Sequence, residues 1–237
     1  MDVDEAPVDS LSVELIGFTP ADMERALIHP SVLFRFETPV VHATAPGTGK
    51  PWKLEEEYST PDFLSLDGLK QPVGVRLAMG WAATGLLLQW SITSHSSALP
   101  EMLTAGRVRF WVDSRASIGI HRLTSTCTHF EFPYRTSVKT IETIAHGSGR
   151  QKSAATADSI AAAGVRPELE VTKGSFQVRV FLPATTMPGY QPDEFPNISY
   201  FYDLLCGDGS QIPVSVGTQL KYEIDPGLWI RGVLRKP

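Results

Sequence analysis

The sequence predicts an all-β protein, an antiparallel sandwich of two stacked sheets. Three observations lead to this prediction. Apolar and polar residues alternate in several short segments, turn-forming residues separate these segments, and the helical period is weak. The 237 residues include 18 prolines and 19 glycines, as expected of a globular protein rich in turns. One β domain of this length is within the usual range.

The first predicted elements lie near the amino terminus. Thr19 is suited to cap a short helix over residues 20–28, because its hydroxyl can accept an orphan amide and a proline follows it. Residues 31–41 alternate well enough to form the first strand. We therefore divide the chain into an amino-terminal extension, residues 1–30, and one β-sandwich domain, residues 31–237.

Four further strands are predicted in the middle of the chain. Residues 73–79 and 86–93 form a pair, and the glycine-bounded segment 80–85 joins them as a turn. Residues 107–113 and 125–132 carry the densest mixture of large apolar and reactive side chains. We interpret them as two core strands joined by a loop.

The clearest hairpin has its turn at Gly174, because glycine accepts the positive φ of a tight turn. After this turn, alternation predicts that Phe176, Val178, Val180 and Leu182 face the core. The other face then holds Gln177, Arg179 and Phe181. Trp90, Trp111 and Trp229 are likewise expected in the core.

Later segments complete the predicted sandwich. Residues 197–205 and 228–234 bring the count to about nine strands, the number expected of two antiparallel layers. Residues 136–164 are small, polar and only weakly amphipathic. A loop of that length is unusual in a compact domain, so we predict a functional excursion or a mobile segment.

Composition and charge argue against several classes of partner. The formal charge is −5, and the 21 basic residues are scattered, so no basic stripe favours nucleic acid. No apolar run approaches the roughly 20 residues that cross a bilayer. The acidic amino terminus lacks the pattern of a secretory signal, so we expect a soluble, cytoplasmic protein. Cys127 and Cys206 are expected to be reduced thiols. The oligomeric state is not indicated.

A metal site is one interpretation of the alternating Cys127, His129 and Glu131, which share one strand face. With His121 upstream, they could bind zinc or iron in a metal-dependent enzyme. No pair among them has a recognised metal spacing. We therefore favour Cys127 as a small core residue and His129 with Glu131 as a hydrogen-bonded pair. No nucleophile motif is present either.

Other side chains are candidates for binding a ligand directly. Trp52 in a loop, Trp81 in a turn and Tyr134 just beyond a strand could offer flat faces to the CH groups of a sugar ring. The polar candidates are expected around one strand end: Asp113, Arg115, His121 and His129. The simpler alternative for Asp113 is that it caps a turn or pairs with Arg115.

Four segments occur in an order that matches a known family. They are GWAATGLLLQWSIT, RVRFWVDSR, SFQVRVFLPATTMPGYQPDEFPNISYFYDLL and DPGLWIRGVLRKP. The matching positions are Trp81, Gly85, Leu86, Leu87, Trp111, Val112, Asp113, Val178, Val180, Leu182, Pro183, Asp203, Asp225, Pro226, Trp229 and Leu234. In these segments the chain resembles the DOMON-like superfamily of β-sandwiches, which includes the family-nine carbohydrate-binding modules. IHRLTSTCTHFEF also resembles a run in planctomycete-type proteins of this class.

This resemblance implies a jelly-roll-like sandwich, often with a structural calcium, that holds sugar between exposed aromatic side chains. The chain departs from the family at Arg179, where the family usually carries glutamate. Combining the resemblance with the residues, we predict non-catalytic binding of a carbohydrate or polyol. A metal-dependent enzyme, and a structural or protein-interaction module that uses residues 136–164, are the alternatives.

Overall fold

A computed structural model describes residues 37–47, 52–60, 73–117, 119–147, 164–213 and 220–236. These residues form twelve strands and four 3-10 helices. The 3-10 helices are Glu56–Tyr58, Glu101–Leu103, Ala184–Thr186 and Pro226–Leu228. The strands are β1 Glu37–His42, β2 Val73–Ala82, β3 Gly85–Ser94, β4 Ala105–Asp113, β5 Cys127–Arg135, β6 Thr140–Ile141, β7 Ile144–Gly147, β8 Arg166–Thr172, β9 Ser175–Pro183, β10 Asn197–Cys206, β11 Gln211–Pro213 and β12 Ile230–Arg235.

The strands form one continuous ladder rather than two separate sheets. Its order is β6-β5-β4-β10-β12-β1-β2-β3-β9-β8. In addition, β7 pairs with β5, and β11 pairs with β10. The terminal strands β6 and β8 are in contact with each other. The all-β prediction is confirmed, but the two-sheet, jelly-roll-like sandwich is corrected to a nearly closed barrel. Closure of the ladder removes most of the exposed strand edges that a sandwich would leave.

The ladder is antiparallel except at β1. This strand runs parallel to both of its neighbours, β12 and β2. Parallel neighbours require a long connection rather than a hairpin, and residues 43–72 provide one between β1 and β2. The expectation of a wholly antiparallel fold is therefore wrong at this strand.

The hydrophobic core fills the barrel, as the alternation in β9 illustrates. Phe176, Val178, Val180 and Leu182 are buried in one cluster, which confirms the predicted inward face. The β8–β9 hairpin turns at Gly174, whose φ is +75°, as predicted.

Trp90 occupies the middle of this core. Its ring centroid lies 5.7 Å from that of Phe110 and 5.8 Å from that of Phe132. Trp90, Trp111 and Trp229 are all buried, as expected. Aromatic rings of this size contribute a large share of the buried apolar area.

Several element boundaries differ from the sequence prediction. The strand β2 continues through Ala82, so Trp81 lies in a strand and not in a turn. The segment 136–164, predicted as an excursion, contains β6 and β7, while its residues 148–163 lie outside the described residues. The helix over residues 20–28 and the extension 1–30 also lie outside them. None of the described helices is long and apolar enough to cross a membrane.

Candidate functional site

The outer surfaces of β3, β9 and β8 form a continuous face rich in polar side chains. The strand registers place its residues in four rows, and we call these rows the β3–β9–β8 face. From one barrel end to the other the rows are Leu87, Phe181 and Arg166; Gln89, Arg179 and Glu168; Ser91, Gln177 and Glu170; and Thr93, Ser175 and Thr172. Alternation explains this arrangement, since the intervening residues point into the core.

One end of the face is apolar and aromatic. Trp52, Tyr58 and Phe181 are partly buried, and they pack against a small cluster. The cluster consists of Ala43, Leu54, Ala78 and Leu87. Trp52 thus stays partly exposed while it packs against this cluster.

The segment that carries Trp52 is attached to the sheet by a buried glutamine. The backbone N–H of Leu54 donates to Gln89 Oε1 at 3.1 Å, and Gln89 Nε2 donates to the Leu54 carbonyl at 3.3 Å. At the other end of the segment, the Thr60 N–H donates to the Leu77 carbonyl at 2.8 Å. These bonds hold residues 52–60 along the outer surface of the barrel.

A groove of about 320 Å³ lies on the polar part of the face. It is lined by Lys53, Glu170, Thr172, Ser175 and Gln177. These side chains together offer both donors and acceptors, as a ligand with many hydroxyl groups requires.

The charges on this face are balanced. Arg179 lies between two carboxylates: its Nε is 3.3 Å from Glu168 Oε2, and its Nη1 is 3.1 Å from Glu170 Oε2. Lys53 adds a second positive charge at the groove. With Arg166 on the same face and Glu55, whose Oε2 is 3.8 Å from Lys53 Nζ, three cations and three anions are present, an arrangement that favours a neutral ligand over a charged one.

Of the predicted aromatics, Trp52 packs against the cluster that includes Leu87 of this face, whereas Trp81 lies elsewhere. The Trp81 side chain is only 4% exposed. Its Nε1 donates to the Arg235 carbonyl at 2.9 Å, and its ring meets His42 edge-on at 4.9 Å between centroids. The expectation that Trp81 presents a flat face to a ligand is therefore corrected, because its strand turns the indole inward.

Asp113 organises a turn at the end of β4. The carboxylate is fully buried, and it accepts hydrogen bonds from the Arg115 N–H at 3.1 Å, the Ser117 N–H at 2.9 Å and Thr126 Oγ1 at 2.7 Å. Both of its oxygens are occupied by the protein. The structure therefore places Asp113 in the turn-capping role that was the alternative, rather than in a ligand site.

Arg115 and His121 lie near the same end of β4 but have different partners. The guanidinium of Arg115 lies 4.2 Å from the centre of the Phe195 ring. His121 Nδ1 is 3.1 Å from Asp225 Oδ1. The two predicted polar residues thus contact separate loops.

Two of the four predicted metal ligands lie together, since His129 Nε2 is 3.9 Å from Glu131 Oε1, and the ligands also have other contacts. The His129 ring stacks on Trp111 at 4.3 Å, with only 2° between the planes. Glu131 accepts a 2.6 Å hydrogen bond from Arg107, and the buried Cys127 is hydrogen-bonded to Thr124. In the described ranges, no three His, Cys, Asp or Glu side chains are grouped as a metal ion requires.

The same finding applies to the calcium that the family resemblance implies. Calcium prefers six to eight oxygen ligands, several of them carboxylates. In the part of the chain that the structure describes, no three carboxylates are grouped together. The calcium stays an implication of the resemblance alone.

Tyr134 lies far from the other candidates. In the β4–β5 ladder it pairs with Gly106, whereas Asp113 pairs with Cys127 at the opposite end. Seven residues of strand separate the two pairs, or about 24 Å. Tyr134 is also only 2% exposed, so it offers no face to a sugar. The seven predicted ligand-binding residues consequently do not form one site.

A buried polar network on the outer surface of β4 and β10 has no counterpart among the predicted sites. Arg109 Nε donates to Asp203 Oδ1 at 2.8 Å, and Arg109 Nη1 donates to Glu223 Oε1 at 2.8 Å. The Tyr222 hydroxyl donates to Asp203 Oδ2 at 2.7 Å. Burial raises the pKa of Asp203, and the bonds from Arg109 and Tyr222 oppose this shift. The four residues come from three separate parts of the chain, since only Tyr222 and Glu223 are neighbours in sequence. No local pattern therefore indicates the network.

Comparison with known proteins gives one kind of match. No protein-family model matches the chain, and no curated protein matches it. Among solved structures, it is similar to a family 9 carbohydrate-binding module (CBM9) from Caldicellulosiruptor kristjanssonii in complex with cellotriose. The TM-score is 0.55 at 7% identity, over 86% of this chain and 95% of that one. The chain has a CBM9-like fold.

A second structure of a CBM9 module from the same organism, in complex with glucose, leads to the same conclusion. Its TM-score is 0.53 at 9% identity, over 85% of this chain and 96% of the other. The CBM9 part of the predicted resemblance is thus confirmed for the fold. The wider DOMON-like resemblance and the planctomycete-type resemblance stay predictions.

Proposed function

We propose that this protein is a non-catalytic carbohydrate-binding module whose ligand lies on the β3–β9–β8 face, against Trp52. The observation that carries the proposal is a polar groove of balanced charge that Lys53 lines, with the partly exposed Trp52 directly before Lys53 in the chain. The CH groups of a sugar ring stack on such an indole, and its hydroxyl groups are both donors and acceptors.

The polar groups of the groove suit a neutral sugar in particular. Glu170 accepts hydrogen bonds, Lys53 donates them, and Gln177 does both. Because Arg179 is already held between two glutamates, it has no surplus charge for a uronate or a sulfate. The similar structures contain cellotriose and glucose, and both ligands are neutral, which supports the same class for this chain.

The proposal is tested by a glycan array on the full-length protein, followed by titration calorimetry with cellotriose and glucose. The Trp52→Ala variant is expected to lose about threefold to tenfold in affinity, the value of one aromatic contact. Trp52→Phe should retain part of the affinity, because it keeps a flat ring. Phe195→Ala, which removes an aromatic ring beside Arg115, is the matched control and should bind like the wild type.

Two outcomes contradict the proposal. The first is a wild-type protein that binds no neutral glycan at millimolar concentration. The second is a Trp52→Ala variant that is folded by circular dichroism and still binds with wild-type affinity. Glu170→Gln and Gln177→Ala then locate the hydroxyl contacts, since the first replaces an accepting carboxylate by an amide and the second removes an amide from the groove.

A further inference from the structure

A second cavity, of about 660 Å³, lies at the barrel end where β4 begins and β5 ends. Its volume is within the range of small-molecule sites. It shares no residue with the groove on the β3–β9–β8 face. Its lining residues come from β4, β5, β6, β10 and the segments that follow β5, β6 and β10: Ala105, Gly106, Arg107, Pro133, Tyr134, Arg135, Val138, Thr140, Glu142, Leu205, Cys206 and Gly207.

The two arginines of this cavity differ in their availability. Arg107 Nη1 is engaged by Glu131 Oε2 at 2.6 Å. Arg135 is exposed, and its guanidinium makes no hydrogen bond or ion pair with any residue that the structure describes. A guanidinium in this state can accept a carboxylate through two parallel hydrogen bonds.

An apolar surface lies next to this guanidinium. The Val138 side chain is 62% exposed. Pro133 and Leu205 line the same cavity. A ligand that covers these three side chains would remove apolar surface from water while its acid group reached Arg135.

The connection that carries Val138 is attached to the barrel. The Thr136 N–H donates to the Thr104 carbonyl at 2.9 Å, and Thr136 Oγ1 donates to the same carbonyl at 3.1 Å. Thr136 is itself buried. The cavity wall is therefore formed before a ligand arrives, which lowers the entropic cost of binding.

From this arrangement we propose that the cavity binds a small amphiphilic carboxylate, with the acid group on Arg135 and the apolar body on Val138, Pro133 and Leu205. Glu142 also lines the cavity, and its negative charge repels the carboxylate of the ligand. The proposal thus makes two predictions of opposite sign. Loss of the Arg135 charge weakens binding, and loss of the Glu142 charge strengthens it.

The test uses 1-naphthoate as the probe and its neutral analogue 1-naphthamide as the comparison, with binding measured by ligand-observed NMR. The wild type is expected to bind naphthoate saturably and naphthamide at least about tenfold more weakly, because a hydrogen bond to a charged group is worth this much. Arg135→Gln should lose about tenfold for naphthoate, and Glu142→Gln should gain about twofold to threefold.

Matched variants separate this site from general effects of charge and fold. Arg122→Gln removes an exposed arginine from a loop distant from the cavity and should bind naphthoate like the wild type, and so should Trp52→Ala. The proposal is overturned if the wild type shows no saturable binding of naphthoate at millimolar concentration. It is also overturned if Arg135→Gln, folded by circular dichroism, binds as tightly as the wild type, or if naphthamide binds equally well.

Discussion

Gln89 holds the backbone of Leu54 through both atoms of its side-chain amide. Its oxygen accepts from the Leu54 N–H and its nitrogen donates to the Leu54 carbonyl. Because Gln89 is buried on β3, this pair of bonds attaches a non-strand segment to the outside of the barrel. Trp52 and Lys53 come just before that point in the chain, so one side chain positions two residues of the proposed site.

The variant Gln89→Leu is expected to release this segment. It leaves a buried N–H and carbonyl without partners, which costs about 1 to 3 kcal/mol. Amide hydrogen exchange should accelerate at Leu54, while exchange in β9 stays slow. Urea unfolding measures the stability loss. Unchanged exchange at Leu54 in a folded variant would show that Gln89 does not hold the segment.

The Arg109–Asp203 pair should be coupled strongly in a double-mutant cycle. Asp203→Leu leaves the buried Arg109 charge without its main partner and is expected to cost about 3 to 5 kcal/mol of unfolding free energy. The double variant Arg109→Met with Asp203→Leu should cost less than the sum of the single variants.

Glu223→Gln is the control for this cycle. The Glu223 side chain is 49% exposed, so its bond to Arg109 should contribute less than about 1 kcal/mol. Urea unfolding of the wild type, the two single variants Arg109→Met and Asp203→Leu, their double variant and Glu223→Gln measures these free energies. Additive costs in the cycle would contradict the coupling.

Tyr134 should make stability sensitive to alkaline pH. Burial raises its pKa above the ordinary value, which is about 10 in an unfolded chain. The folded state therefore holds the phenolic proton more tightly than the unfolded state. The free energy of unfolding that this difference contributes is fully present below about pH 10, and it is lost as the pH rises toward the pKa of Tyr134 in the folded state.

The variant Tyr134→Phe isolates this effect, because the buried Tyr134 hydroxyl has no hydrogen-bond partner among the residues that the structure describes. At pH 7 the variant should be at least as stable as the wild type, since no hydrogen bond is lost. Between about pH 9 and 11 its urea midpoint should fall less steeply. Equal slopes of the urea midpoint against pH for the variant and the wild type would contradict the prediction. Tyr200→Phe is the comparison, because it does lose a hydrogen bond, the one to Thr38.

Gly85 should tolerate substitution far worse than Gly119. Its φ is +151°, and an added Cβ would lie within 2.1 Å of the Leu182 carbonyl oxygen. Gly119 has a φ of +72° but has nothing within 4 Å of the added atom. We expect Gly119→Ala to cost about 1 kcal/mol, whereas Gly85→Ala should cost more than about 3 kcal/mol or prevent folding. Similar midpoints of urea unfolding for the two variants would contradict this.

The strands were more predictable than their arrangement. Alternation identified β9 and its inward residues correctly, because a period of two is visible within a few neighbouring positions. It could not show that β1 pairs with β12 and β2 in parallel, since those partners are distant along the chain. The two-sheet sandwich and the barrel share the same alternation, so pattern alone does not separate them.

The candidate site was predicted only in part, as Trp52, Trp81 and Asp113 illustrate. Trp52 lies at a polar face as a ligand-binding aromatic should, although its role there stays a prediction. Trp81 was assigned to a turn because of its flanking glycines, but β2 continues through it. Asp113 was correctly placed at a strand end, yet its oxygens are occupied by neighbouring donors that the sequence does not reveal.

By itself, the sequence determined that this protein is all-β, which residues form most of its strands and which side chains face inward. These properties depend on local periodicity and on turn chemistry, both of which act over a few residues. Only the tertiary structure decided the closure of the ladder, the attachment of Leu54 to Gln89 and the balanced charges around Arg179. The closure and the attachment of Leu54 depend on contacts between segments that are distant in sequence, and the charge balance depends on Lys53 meeting the β8–β9 hairpin. The packing of the whole core determines these contacts.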